Sequence, residues 1–196
     1  NAPTRMLVER SRYADAVEQA KAAANATKVN AASEGGQHIG PLVSEMQFTK
    51  VQDLIQQGID EGATLVAGGM GRPEGLNRGF FVRPTVFADC NNDMTVMREE
   101  IFGPVLAMMP FDTEEEAIAI ANDTDYGLTN YVQTTAPERA RRVARALRSG
   151  MVDMNGKGRG AGSPFGGMKQ SGNGREGGEW GLDEFTEVRA IGGWPT

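Results

Sequence analysis

The sequence predicts an α/β fold with a mostly parallel open sheet, helices on both faces and a C-terminal strand. Three observations carry this expectation. Short apolar or alternating runs recur at 6–9, 64–67, 80–87, 105–109, 130–133 and 151–154; stretches of helical period stand between them; and Gly, Pro, Asn or Asp mark the joins. Strands alternating with helices of this length favour parallel pairing, and a parallel sheet has to be covered on both sides.

The first strand, 6–9, feeds a helix for which Ser11 is the expected cap and Tyr13, Ala14, Val17 and Ala20 the buried side. The polar, glycine-rich stretch 30–40 reads as a loop. Phe48, Val51, Leu54, Ile55 and Ile59 then recur at helical spacing ahead of the strand 64–67. Residues 68–78 are turn-rich, 80–87 are strand-like, and 105–109 run apolar. Thr113 and Glu116 form a capping-box pattern that opens a helix through Ala117, Ile118, Ile120 and Ala121. Tyr126-Gly127-Leu128 turns into the strand 130–133, and Pro137 suits the first turn of the next helix. That helix carries Arg139, Arg141, Arg142, Arg145 and Arg148, yet Ala140, Val143, Ala144 and Leu147 repeat at i, i+3, i+4, i+7, so the arginines read as its solvated face. Gly150 ends it before the strand 151–154. The stretch 156–178 is glycine-dense and irregular, and 185–191 alternates as a last strand with little sequence left to cover it.

Composition narrows the function. With 196 residues, 39% of them hydrophobic, the chain can build a sizeable core without disulfides. Its net charge of −6 argues against a nucleic-acid surface, and no apolar run approaches the ~20 residues needed to cross a bilayer. One cysteine rules out an internal disulfide or thiolate metal cluster, one histidine makes a histidine metal site improbable, and a reducing cytoplasm fits best. Asn25-Ala26-Thr27 and Asn122-Asp123-Thr124 match the glycosylation pattern but have no secretory context. The chain opens on Asn1-Ala2-Pro3-Thr4-Arg5, without a start methionine or a signal-peptide pattern, and reads as a fragment.

Several motifs are weaker than they look. Gly172-Asn173-Gly174-Arg175-Glu176-Gly177 matches the dinucleotide fingerprint, but 166–171 is read as no strand, so a loop capped by Ser171 or Asn173 is expected. In Gly69-Met70-Gly71-Arg72-Pro73 the proline spoils a phosphate-binding turn. Cys90 lies among acidic residues without a base nearby and reads as a structural or surface thiol; His38 reads as a loop surface residue. Glu99-Glu100-Ile101-Phe102-Gly103-Pro104-Val105 differs. A carboxylate can take both hydroxyls of a ribose and a ring can lie against a flat heterocycle, although solvated acids beside a core phenylalanine would look the same.

Four blocks taken together resemble one family: Asn1 to Arg5; Gly79-Phe80-Phe81 with Pro84-Thr85-Val86-Phe87; Glu99 to Val105; and Ser163-Pro164-Phe165-Gly166-Gly167-Met168-Lys169 with Ser171-Gly172 and Gly174-Arg175-Glu176. In that order they resemble the catalytic half of the NAD(P)-dependent aldehyde dehydrogenases, across essentially the whole chain. The resemblance implies an enzyme in which a cysteine thiolate attacks the aldehyde, a hydride leaves the thiohemiacetal for nicotinamide, and a glutamate-activated water releases the acid. It implies that the nucleophile and the general base lie upstream of Asn1, so that no catalytic residue falls in this chain, and that the cofactor-binding Rossmann lobe lies outside it. The isolated segment is then expected to be inactive.

By the same resemblance Glu100 holds the nicotinamide ribose of NAD or NADP, Phe102 packs near the nicotinamide, Phe165 walls the substrate tunnel, and the segment Asn155 to Gly162 shapes its mouth. Lys157 and Arg159 in that segment would favour an aldehyde with a polar or anionic tail, or its glycines would leave room for a bulky one. No metal is implied. Residues 1–182 would be the catalytic lobe and 183–196 an oligomerisation tail reaching a second copy. The alternatives are a non-catalytic oligomerisation or interaction module derived from the same lobe, and, more distantly, a dehydrogenase built on Gly172 to Gly177.

Overall fold

The computed structural model describes residues 3–193. Backbone packing divides the chain into two compact units, Ala2–Ala121 and Asn122–Thr196.

In the first unit β1 (Arg5–Glu9) runs into α1 (Arg10–Ala26), α2 (Glu45–Asp60) precedes β2 (Thr64–Ala67), and β3 (Thr85–Ala88) leads through α3 (Thr95–Arg98) to β4 (Val105–Phe111). The sheet order is β1-β4-β3-β2. Both β1 and β3 lie parallel to β4, while β2 pairs antiparallel with β3 at an edge. Successive residues of a strand face opposite sides, and the core separates accordingly. Leu7, Phe87, Val105 and Ala107 pack with Val51, Leu54 and Ile55 of α2 and Val96 and Met97 of α3. Val8, Val86, Leu106 and Met108 pack with Tyr13, Ala16, Val17 and Ala20 of α1. Helices therefore cover both faces, as the strand–helix alternation predicts.

The helix α4 (Glu114–Asn122) opens as the capping-box pattern expects, with Thr113 Oγ1 accepting the Glu116 N–H at 3.1 Å, although Glu116 Oε2 reaches one residue further back and accepts the Asp112 N–H at 2.7 Å. Arg5 donates to the carbonyls of Ile120 (3.3 Å) and Ala121 (3.1 Å), which have no partners further along the helix.

Some expectations in this unit are corrected. β1 enters α1 without a loop, so Glu9 is the N-cap and Ser11 lies inside the helix with its hydroxyl on Glu9 Oε1. The inward stripe of α1 passes through Ala16, three residues after Tyr13, and leaves Ala14 exposed. The strand expected over 80–87 is confined to Thr85–Ala88, because Pro84 has no N–H for a ladder and the Phe80 carbonyl instead takes the Leu42 N–H at 2.9 Å.

The second unit contains β5 (Tyr126–Gly127), β6 (Thr129–Val132), α5 (Pro137–Ala146), β7 (Met151–Met154), β8 (Met168–Lys169) and α6 (Gly178–Asp183). β6 and β7 pair in parallel from Thr129 opposite Met151 to Val132 opposite Met154, with α5 as the crossover and Pro137 in its first turn. The five arginines on or just after α5 are exposed, and Ala140, Val143, Ala144 and Leu147 are half-buried. β8 pairs antiparallel with β5, so 166–171 does contain a strand, one too short to leave a periodic pattern.

The strand expected over 185–191 is not formed. A strand exists by pairing, and no ladder reaches these residues; Val188 is fully exposed. Asn1 and Ala2 of the first family-like block, and residues 194–196 of the expected tail, lie outside the described residues. Among the described residues no helix is long and apolar enough to cross a membrane.

Candidate functional site

The Glu99 to Val105 block is a corner seated on α2. Ile101 is fully buried in the α2–α3 core, which turns Glu100 and Phe102 on either side of it outward; Phe102 is 70% exposed. The backbone between them is held by one helix. Gln47 Nε2 donates to the carbonyls of Ile101 (2.9 Å) and Phe102 (3.1 Å), and Lys50 Nζ donates to that of Glu100 (2.7 Å). Gln47 and Lys50 stand three residues apart on one helix face, and Ser44 fixes the start of α2 by accepting the Gln47 N–H.

One turn of α2 thus takes up three consecutive carbonyls and leaves the two side chains clear. Phe102 adopts φ +57°, a left-handed conformation unfavourable for a bulky residue, and the hydrogen bonds on both sides maintain it. Gly103 follows because a Cβ there would stand 2.8 Å from Val51 Cγ2. The Pro104 carbonyl then accepts the Thr85 N–H at 2.8 Å and passes the chain into β4. Sequence reasoning identified Glu100 and Phe102 but missed Gln47 and Lys50, whose only local signal is an unremarkable i, i+3 polar pair.

In the second unit the remaining predicted residues surround the end of β7. Asn155 extends the parallel ladder: its N–H donates to the Val132 carbonyl and its Oδ1 accepts the Thr134 N–H, both at 2.8 Å. Its side chain is therefore engaged by backbone. Lys157 is exposed. The Arg159 side chain, 32% exposed, lies with Nε 3.8 Å from Asp153 Oδ1, its guanidinium carbon 5.2 Å from the centre of the Phe165 ring, and in contact with the Met151 sulfur. Phe165 and Arg159 are thus brought together, while Asn155 and Lys157 stand apart from that cluster.

Phe165 is fixed through its backbone, exchanging two 2.7 Å hydrogen bonds with Glu176. Behind it, chain crosses chain: a Cβ on Gly150 would lie 1.9 Å from the Gly166 carbonyl oxygen, and one on Gly166 2.3 Å from that of Gly174. Arg175 Nη1 donates to the carbonyls of Gly167, Asn173 and Gly174 at 2.7–2.9 Å, and Ser171 Oγ accepts the Gly127 N–H at 3.0 Å. The glycine-rich segment is close-packed backbone stapled by an arginine. Ser171 supports a strand and caps no helix, and six-residue α6 follows in place of the long helix a dinucleotide fingerprint requires.

Cys90 is buried, and burial pushes its thiol up to about 11, far from thiolate chemistry near neutral pH. His38 faces the carbonyls of Glu34 and Ile39 in its own loop. Among the described residues no group of histidine, cysteine or acidic side chains is arranged to hold a metal ion.

The family model described as "Aldehyde dehydrogenase family" matches residues 1–191. A 3-succinoylsemialdehyde-pyridine dehydrogenase from a Pseudomonas species is 50% identical over 194 residues, which are 99% of this chain and 41% of that protein. The crystal structure of an aldehyde dehydrogenase from Bartonella henselae superposes with TM-score 0.96 at 57% identity, covering 99% of this chain and 41% of the other. A mutant of aldehyde dehydrogenase C from Pseudomonas syringae, solved with NAD+ and octanal, gives TM-score 0.94 at 47% identity, with 97% and 39% covered. The chain spans about 41% of the length of the curated relatives it matches.

Proposed function

The chain belongs to the aldehyde dehydrogenase family, and from that premise we propose that it forms the cofactor-clamping and substrate-walling part of an enzyme oxidising an aldehyde to its carboxylic acid with NAD or NADP. The observation that carries this reading is the corner at 100–102, where α2 holds three backbone carbonyls while a carboxylate and a ring face outward. Such a corner suits a ribosyl-nicotinamide. A carboxylate has acceptors for two vicinal hydroxyls, and an exposed ring offers a face to a flat heterocycle. It supports a cofactor site over the non-catalytic alternative, since a bare interaction surface has no need of a strained φ at Phe102.

When bound, the nicotinamide supplies the hydride acceptor. Glu100 takes the ribose hydroxyls and Phe102 limits where the ring can lie, so both act by position. Gln47 and Lys50 keep that corner from relaxing. Phe165 walls the aldehyde site, and Asn155, Lys157 and Arg159 belong to the segment at its mouth. The nucleophile and general base are assigned to the remainder of the longer protein, because the single thiol here is buried and protonated. On the same grounds the isolated chain is inactive.

Residues 1–182 then serve as the catalytic lobe and 183–196 as an oligomerisation tail that pairs with a second copy. Its support is the exposure of Phe185, Val188 and Ile191, apolar side chains with no cover in this chain. A reducing cytoplasm suits the free thiol, and the acidic net charge suits neither nucleic acid nor an anionic membrane.

The test is kinetic, on the full-length protein. Glu100→Gln and Phe102→Ala are each expected to raise the cofactor KM about tenfold or more, with a smaller effect on the aldehyde KM. Unchanged cofactor kinetics in both variants would overturn the reading.

A further inference from the structure

A lone arginine in an open glycine-rich segment would ordinarily extend into water. Arg159 does not. It lies against Asp153 and Met151, two residues apart on β7 and so on one face of the strand, and its guanidinium covers the Phe165 ring. The Asp153 side chain is 14% exposed, and its Oδ1 is buried with no hydrogen-bond partner among the described residues. A buried carboxylate oxygen in that condition is costly unless a cation stands near it, and the Arg159 Nε is 3.8 Å away.

We infer that Asp153 is the specificity-determining counter-ion of the substrate wall: it holds Arg159 over Phe165 and cancels its charge, so that the site favours neutral, apolar-tailed aldehydes over carboxylate-tailed ones. This rests on the reading of Phe165 as part of the aldehyde site. A carboxylate tail approaching Phe165 meets the Arg159 cation with its Asp153 counter-charge 3.8 Å away, and the two fields oppose each other. An apolar tail meets the ring and the flat guanidinium, a surface on which it loses no solvation of its own. Lys157, exposed and outside this cluster, does not restore the missing attraction.

Removing Asp153 should therefore do what adding a cation would do. In the full-length protein, with hexanal and succinic semialdehyde as probes, Asp153→Asn is expected to raise the kcat/KM ratio of succinic semialdehyde to hexanal about tenfold, chiefly through a lower KM for the anionic aldehyde. Adding Arg159→Gln to that variant should return the ratio to the wild-type value. Arg159→Gln alone leaves the Asp153 carboxylate without its counter-charge and should lower the ratio about threefold or more, a loss that Asp153→Asn in the same chain reverses; with a free anion-receiving arginine the double variant would stay as low as Arg159→Gln. Where Asp153→Asn fails to fold, Asp153→Ser supplies the same comparison. An unchanged ratio for the folded Asp153 variant, a gain that survives in the double variant, or a double variant no higher than Arg159→Gln alone would each overturn the inference. Failure of the underlying reading looks different: the wild-type protein would oxidise neither aldehyde with NAD or NADP.

Discussion

Gln47 reaches across 54 residues of sequence to place its side-chain amide on the Ile101 carbonyl, and with the same nitrogen it takes the carbonyl of Phe102. One helical side chain thereby sets the conformation of a residue in the left-handed region. Phe102 is held open to solvent because its backbone is tied down.

Gln47→Ala should separate cofactor binding from stability. Losing two hydrogen bonds to a partly exposed corner costs about 1–2 kcal/mol in unfolding free energy, read by urea denaturation. The cofactor KM of the full-length protein should rise about five- to tenfold, since Phe102 is then free to leave its strained φ. A stability loss with an unchanged cofactor KM would show that the corner holds itself.

Cys90 gives the protein a pH signature. Its ordinary pKa of 9.0 is pushed up to about 11 mainly by burial, with Asp89 adding to the shift and the Met108 backbone opposing it. A folded-state pKa above the unfolded value means that the stabilising contribution is complete below pH 9 and is lost as pH rises towards 11. Unfolding free energy measured by denaturant titration should therefore fall across that window, and Cys90→Ala should flatten the decline. It will not abolish it, because burial also raises the Tyr13 phenol and acts in the same direction. A native thiol that reacts with an aromatic disulfide reagent at pH 8 as fast as the unfolded one would contradict the burial argument.

The glycines of the second unit should differ sharply in tolerance. Gly150→Ala sets a methyl 1.9 Å from a backbone oxygen that has nowhere to go, and at least about 2 kcal/mol of destabilisation is expected. Gly158→Ala meets open space without a left-handed φ and should change the melting temperature little, within about 0.5 kcal/mol. Thermal melts of the two variants compare a packing glycine with a permissive one.

Local signals made much of the fold legible in the sequence. The Thr113–Glu116 box, Pro137 in the first turn of α5, and the strands at 64–67 and 151–154 each depend on residues within a turn or a ladder of one another, and all stand where the sequence puts them. The Glu99 to Val105 block stood out only beside the other family-like blocks, since its residues alone left Phe102 readable as core; burial of Ile101 is what turns Glu100 and Phe102 outward. The strand over 185–191 failed because alternation states what a strand would bury and says nothing of whether a partner exists.

From residue order and periodicity alone come the succession of most elements and the openings of α4 and α5, while Glu100 and Phe102 stand out through the family resemblance. Folding in three dimensions decided that Gln47 and Lys50 hold the backbone at 100–102, that Cys90 is a buried thiol, and that Arg159 lies between Asp153 and the Phe165 ring. The physical reason is range. Caps and periodicity act through backbone neighbours a few residues apart, whereas hydrogen bonds, burial and charge cancellation depend on which atoms the fold brings within a few ångströms, whatever their separation along the chain.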